Sequence, residues 1–375
     1  MEGIIYLEDG QIFEGKGFGA ATTKAGELIF STAMGGYQEM LTDPALRGLI
    51  VNMTYPLIGN YGISEIDNES DSIHACGLIT RDLSFRPSNR MSVMNMTEWL
   101  NAHGVPGVYG VDTRAITKKI RSEGTQKCVV STEGISKDYA FELMGGMSAS
   151  TECFNSAGVT MRLLRAGSAA EGVPGRGLKI ALLDFGVKRS IVTALTDLGC
   201  DVILCPYNTT AEEIIAMDPD GLFLSSGPGD PNEVAPAIET VAKLIGRLPV
   251  MGVCFGHLVL ALATGSSIYK LKCGHHGANY GVIDIETGKS AITSQGHIFA
   301  VDEKSLKGSG MVVSHLNLND GTVEGIKHES LPIFSISFHP EGAPGSCDTK
   351  WIFGRFIETI KDVKSGNRKG GSLNE

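Results

Sequence analysis

The pentapeptide Gly252-Val253-Cys254-Phe255-Gly256 restricts the local fold more than any other stretch of this 375-residue chain. Before it runs Leu248-Pro249-Val250-Met251, a short apolar segment with buried-strand character. After it runs His257-Leu258-Val259-Leu260-Ala261-Leu262-Ala263, an apolar segment of helical length that ends at the C-cap residue Gly265. A strand that turns directly into a helix sets Cys254 at the helix N-terminus. There the helix dipole and nearby backbone N–H groups favour thiolate over thiol, as a cysteine nucleophile near neutral pH requires. Flanking glycines permit the strained dihedrals of such an elbow and keep side chains off the sulfur. An isolated cysteine is more often a small buried residue, and it is the Gly-x-Cys-x-Gly setting that favours the nucleophile here.

Far downstream, Pro332-Ile333-Phe334-Ser335-Ile336-Ser337-Phe338 alternates as a strand and delivers His339-Pro340-Glu341 at its end. Pro340 fixes its own φ and biases His339 toward an extended conformation, so His339 and Glu341 can project to one side. Cys254, His339 and Glu341 then form a nucleophile, an acid–base imidazole and a carboxylate that holds the imidazole tautomer. A third element is Gly221-Leu222-Phe223-Leu224-Ser225-Ser226, a buried strand that enters the turn Gly227-Pro228-Gly229-Asp230-Pro231. The amides of that turn are available to point into a site.

The character of the chain changes once along its length. Residues 178–360 alternate strands (Leu178 to Leu183, Val202 to Leu204) with helices (a stripe of Ile191, Val192, Leu195 and Leu198; a start at Glu212). This predicts an α/β domain built on a doubly wound, mainly parallel sheet, with its site at the carboxyl ends of the strands, where Gly227 and Cys254 fall. Residues 1–145 are richer in Gly, Thr and short alternating runs, with helical pieces at Thr97 to His103 and Asp112 to Ser122, and read as a separate β-containing α/β domain. Residues 146–177 are rich in Gly, Ser and Ala and read as a linker, helical near Val159 to Leu164. The polar tail, 361–375, has the composition of a disordered segment.

Composition narrows the setting. A net charge of −10 argues against nucleic acid as a partner and for an acidic cytoplasmic protein. The eight cysteines include no Cys-x-x-Cys pair, which fits reduced thiols. The start Met1-Glu2-Gly3-Ile4-Ile5 lacks a signal-peptide pattern, and no apolar stretch approaches the roughly 20 residues that span a bilayer. Gly15-Lys16-Gly17-Phe18-Gly19 is glycine-rich but lacks Walker spacing, so no nucleotide site is read there. Cys273, His275 and His276 could suggest a metal, but neighbours in a strand face opposite ways, and no metal is expected.

Together the cysteine elbow and the later His-Pro-Glu resemble the class I, triad-type glutamine amidotransferases. Leu7-Glu8-Asp9-Gly10, Gly36 to Pro44, Thr54 to Asn60, Asp112-Thr113-Arg114, Asp184 to Arg189 and Gly274-His275-His276-Gly277 extend the resemblance to the small-subunit family of carbamoyl phosphate synthetase, over nearly the whole chain to about Ile360. The resemblance implies a glutaminase. Cys254 attacks the glutamine amide, His339 protonates ammonia, and Gly227 and Phe255 supply the oxyanion-hole amides. It also implies a large synthetase subunit as partner, holding ATP and Mg, with no cofactor in this chain. The glutamine site implied by position comprises Ala45, Gly227, Gly229, Phe255, Leu258, Gly296, Ile298 and Phe299. Four of these depart from the family. Ala45 stands where Ser is usual, Leu258 where Gln is usual, and Gly296 and Ile298 where Asn and Gly are usual. The departures read either as drift compensated elsewhere or as weakened glutamine use, another amide donor, or a chain kept as a structural partner. The full amino-terminal domain disfavours a hydrolase unrelated to a synthetase.

Overall fold

Strand-forming and helix-forming segments sort into two compact units in the computed structural model, which describes residues 1–147, 161–164 and 177–366. The first unit comprises Met1–Ser150 with Leu271–Asn279 and Ala343–Gly345, and the second comprises the rest. Most of the expected linker and the end of the expected tail lie outside the described residues, while the start of that tail, to Lys364, is not disordered but closes the helix Trp351–Lys364. Val159 and Thr160, of the helix expected in the linker, also lie outside the described residues. Its remaining part is not helical: Arg162–Leu164 is a short strand, antiparallel to Asp201–Pro206. Pairing with an otherwise open sheet edge outweighs the local helical pattern there.

In the first unit the short alternating runs close into a barrel in the order Glu2–Leu7, Ile12–Gly19, Pro106–Tyr109, Gly77–Thr80, Leu49–Met53, Thr23–Ser31 and Gln126–Ser131, with the last strand pairing back to the first. Closure removes sheet edges, and Ile5, Leu28, Ile50, Ile79, Val108 and Val130 fill one buried cluster. The glycine-rich stretch from Gly15 to Gly19 is part of a barrel strand. A Cβ on Gly15 would lie 2.5 Å from the Tyr109 carbonyl oxygen, and one on Gly17 would lie 2.9 Å from that of Glu2. Close strand approach explains these two glycines. Helix Met96–Ala102 starts at a capping box in which Asn95 and Glu98 exchange hydrogen bonds, and Asp112 caps helix Thr113–Glu123.

In the second unit, Asp201–Pro206, Lys179–Asp184, Gly221–Leu224, Val250–Val253 and Ile333–Ile336 lie side by side in that order, all parallel. The alternation of each strand feeds two cores. Ala181, Leu183, Leu222, Leu224 and Val250 join Ala237, Val241 and Val259 on one face. Ile180, Leu182, Phe223, Met251 and Val253 join Ile191, Leu195, Phe353 and Phe356 on the other. A sheet buried on both faces between helices is the doubly wound arrangement that the strand–helix alternation predicts. Beyond Ile333–Ile336 the sheet turns antiparallel, through Val323–His328, Ser290–Val301, Ile268–Asp284 and Met311–Asn317.

Candidate active site

Cys254 sits between strand Val250–Val253 and helix Phe255–Ala263. Its φ of 54° and ψ of −107° make it, with Asp218, one of two non-glycine residues of positive φ among the described residues. Such a conformation costs on the order of 1–3 kcal/mol and persists only where the surroundings enforce it. They do so here by close packing. The Cys254 N–H donates to the Ile336 carbonyl at 2.9 Å and the Gly256 N–H to that of Ser225 at 2.9 Å. A Cβ on Gly252 would lie 2.6 Å from the Gly256 oxygen, and one on Gly256 would collide with the Leu224 carbonyl. Neither glycine has positive φ. The strain expected of the elbow therefore falls on the cysteine, and the glycines serve to let backbones touch.

The strand next to Val250–Val253 is Ile333–Ile336, and the chain continues from it to His339, whose N–H donates to the Ser294 carbonyl at 2.8 Å. His339 and Glu341 do project to one side. Nδ1 of His339 lies 2.7 Å from Oε1 of Glu341, both residues being buried. Since the carboxylate accepts, Nδ1 carries the proton, and Nε2 is left without a hydrogen bond among the described residues. Burial alone would pull this imidazole down. The Glu341 carboxylate and the Cys254 sulfur outweigh it and push His339 up to about 10. An imidazolium at neutral pH is the proton donor that departure of an amine demands.

The same Glu341 oxygen accepts from Lys188 Nζ at 2.9 Å, and both side chains of this ion pair are almost fully buried. Burial would raise the Glu341 pKa, but Lys188 and then His339 hold it well below the usual carboxylate range. Lys188 reaches this position by a local device. At the end of strand Lys179–Asp184, Asp184 Oδ1 accepts from the N–H groups of Gly186 and Val187 at 2.9 and 2.8 Å, and this turn delivers Lys188 as N-cap of helix Arg189–Asp197. Sequence reasoning quotes Lys188 within a motif but gives it no task. The sequence carries one weak signal: two successive cations, Lys188 and Arg189, at a helix N-terminus oppose the helix dipole.

The remaining predicted positions divide. Phe255 follows the nucleophile, and its ring packs on Phe185 at 5.1 Å between centroids. Gly227 approaches the same Phe185, where an added Cβ would lie 2.6 Å from Phe185 Cβ. Gly229 adopts a φ of 81° in the turn that follows. Gly296 carries the carbonyl to which the Cys254 thiol points, Sγ to O 3.7 Å. A Cβ there would meet nothing nearer than His339 Nε2 at 3.8 Å. Leu258 and Phe299 are absorbed in the apolar core, with Ile298 packed against it. Ile298 has no positive φ and lies within the strand Ser290–Val301. Ala45 belongs to the first unit, in a short 3-10 turn, Pro44–Leu46, where its N–H donates to Asp43 Oδ1 at 2.9 Å.

Comparison with known proteins agrees with this geometry. Residues 5–130 match the family described as the carbamoyl-phosphate synthase small chain, CPSase domain, and residues 181–359 match the class-I glutamine amidotransferases. A carbamoyl phosphate synthase small chain from Clostridium acetobutylicum is 48% identical over 95% of this chain and 99% of its own length. One from Bacillus caldolyticus is 42% identical over 99% of each, and one from Fusobacterium nucleatum is 42% identical over 95% of this chain and 97% of its own. With identity at this level from end to end, and with a strained cysteine elbow facing a buried His–Glu couple, the chain belongs to the carbamoyl phosphate synthase small-chain family.

Proposed function

We infer that this chain is the glutamine-hydrolysing subunit of a carbamoyl phosphate synthase and supplies ammonia to a large synthetase chain. The observation that carries the reading is the juxtaposition, within one α/β unit, of Cys254 at a strained helix N-terminus and His339 locked by Glu341. Cys254 Sγ, as the thiolate beside the His339 imidazolium, attacks the side-chain carbonyl carbon of glutamine, and the developing oxyanion is met by the backbone N–H groups of Phe255 and Gly227. The C–N bond breaks as Nε2 of His339 gives its proton to the departing ammonia, leaving a γ-glutamyl thioester on sulfur. Nε2 then takes a proton from water, whose oxygen attacks the thioester; collapse expels the Cys254 thiolate beside the restored imidazolium, and glutamate leaves with its carboxyl proton released to solvent. Glu341 and Lys188 act on His339 rather than on substrate.

The names of the related small chains support a large chain as partner. ATP and Mg are assigned to that chain, and none of the steps above calls on a cofactor here. Among the described residues no helix is long and apolar enough to cross a membrane, and we place the work of the complex in the cytoplasm. Cys254→Ser tests the division of labour. Glutamine-dependent synthesis by the reconstituted complex should vanish, while synthesis from added ammonium should persist. Loss of both, or of neither, would show that the cysteine does not serve amide hydrolysis alone.

A further inference from the structure

Beneath the nucleophile helix lies a buried polar group that the steps above do not use. Glu324, in strand Val323–His328, is fully buried. Its Oε1 accepts from Asn317 Nδ2 at 2.7 Å, and its Oε2 faces His297 Nε2 at 3.7 Å. His297 is pinned on its other side, Nδ1 donating to the Phe299 carbonyl at 2.9 Å. The backbone of Glu324 also takes part, its carbonyl accepting from Ser337 N–H at 2.8 Å, two residues before His339. His257, three residues past the nucleophile, is fully buried with Nδ1 on Ser335 Oγ at 2.8 Å. Burial pulls His257 down to about 3, against the opposing pull of Glu324, so it is neutral.

These contacts converge on the stretch that carries the Cys254 partner. His297 directly follows Gly296, whose carbonyl receives the thiol, and Ser294 in the same strand holds the His339 backbone. A carboxylate taken out of water is costly unless paired and hydrogen-bonded, and this one takes a hydrogen bond from Asn317 on one neighbouring strand and lies 3.7 Å from His297 on another. Apolar residues could fill this space without that cost.

We propose that Glu324 is a positioning residue: through His297 it fixes the 294–298 backbone so that the Gly296 carbonyl orients the Cys254 thiol and Ser294 holds His339. The proposal rests on the glutaminase reading above. Its effect runs through His297, so the two residues must be coupled in glutamine-dependent kcat, whereas a merely structural Glu324 would couple with His297 in stability alone.

The test is a double-mutant cycle of Glu324→Gln and His297→Asn in the reconstituted complex. It is read as glutamine-dependent kcat and KM, as ammonium-dependent synthesis, and as the rate at which iodoacetamide alkylates Cys254. Glu324→Gln keeps an acceptor for Asn317 but removes the charge that faces His297. It should lower glutamine-dependent kcat by about ten- to a hundredfold, the scale of a small misplacement of reacting groups, and change the Cys254 alkylation rate. Ammonium-dependent synthesis and the melting midpoint should stay near those of the parent, and adding His297→Asn should cost little more. Unchanged kcat in Glu324→Gln, multiplicative losses in the double variant, or a parallel loss of folding and ammonium-dependent synthesis would each overturn the proposal. A parent complex that failed to hydrolyse glutamine would instead overturn the glutaminase reading, and the alkylation rates would still decide the role of Glu324.

Discussion

Replacing Lys188 by methionine, which has similar length and no charge, removes an ammonium that lies 2.9 Å from Glu341 Oε1 in a site where both partners are buried. Breaking a buried pair from one side leaves the other charge uncompensated, at about 3–5 kcal/mol. His339 stays on the same oxygen at 2.7 Å and offsets part of this, so the lower end, about 3 kcal/mol, is expected. For a unit of this size that is about 6–12 °C in the melting midpoint of its transition. The loss should also carry a pH signature. Glu341 sits below its ordinary value of 4.5, so its contribution is fully present above that pH and fades as pH falls through its native pKa. His339 sits above its ordinary value of 6.5, so its contribution is complete below that pH and fades as pH rises toward about 10. Protonating Glu341 removes the uncompensated charge. The deficit of Lys188→Met against the parent should therefore be largest near neutrality and shrink on acidification below about pH 4.5. Activity should respond as well. Lys188 lowers the His339 pKa, so without it the imidazolium persists to higher pH and the alkaline limb of glutamine hydrolysis moves upward. Chemical denaturation at several pH values together with a pH–rate profile would check both. A deficit under about 1 kcal/mol near pH 7, or one that grows on acidification, would refute the buried-pair argument.

Other outcomes follow from the same geometry. Gly256→Ala should abolish glutamine-dependent activity and destabilise the second unit, because its Cβ collides with the Leu224 carbonyl; full activity would mean that the elbow tolerates a shift. Gly354→Ala, in helix Trp351–Lys364 with open space around its Cβ, should instead stabilise by about 0.5–1 kcal/mol in thermal melts. Gly296→Asn should be accommodated, since the nearest atom to its Cβ would be His339 Nε2 at 3.8 Å. If the departures at the glutamine-binding positions weaken binding, it should lower KM for glutamine, and an unchanged KM in steady-state assays would mark the glycine as neutral. Leu258→Gln should destabilise by about 1–3 kcal/mol in denaturation experiments unless its amide finds a partner, because Leu258 lies in the apolar core; a neutral result would show that the side chain reaches a polar site.

The parts of this protein written plainly in its sequence are those governed by local rules. Continuous apolar runs such as Ile180 to Leu183, stop signals such as Gly265, and the Gly-x-Cys-x-Gly spacing each act within a few residues, where sterics and hydrogen-bond geometry leave few choices. They sufficed to place strands on a parallel sheet, to put Cys254 at a helix start and to set His339 and Glu341 on one side of a strand end; that Cys254 belongs with them was an expectation from their chemistry and from the family resemblance. Tertiary structure decided what depends on contacts across long separations. Whether Arg162–Leu164 became helix or strand depended on the open edge of Asp201–Pro206. That Cys254, not its glycines, bears the positive φ depended on Leu224 and Ser225 lying against Gly256. That Lys188 answers Glu341 from 153 positions away, and that Glu324 meets His297 and Asn317 in the core, follows from the order of the strands. A buried charge is stable only where its partner arrives from another strand or turn, and sequence spacing alone does not contain that meeting.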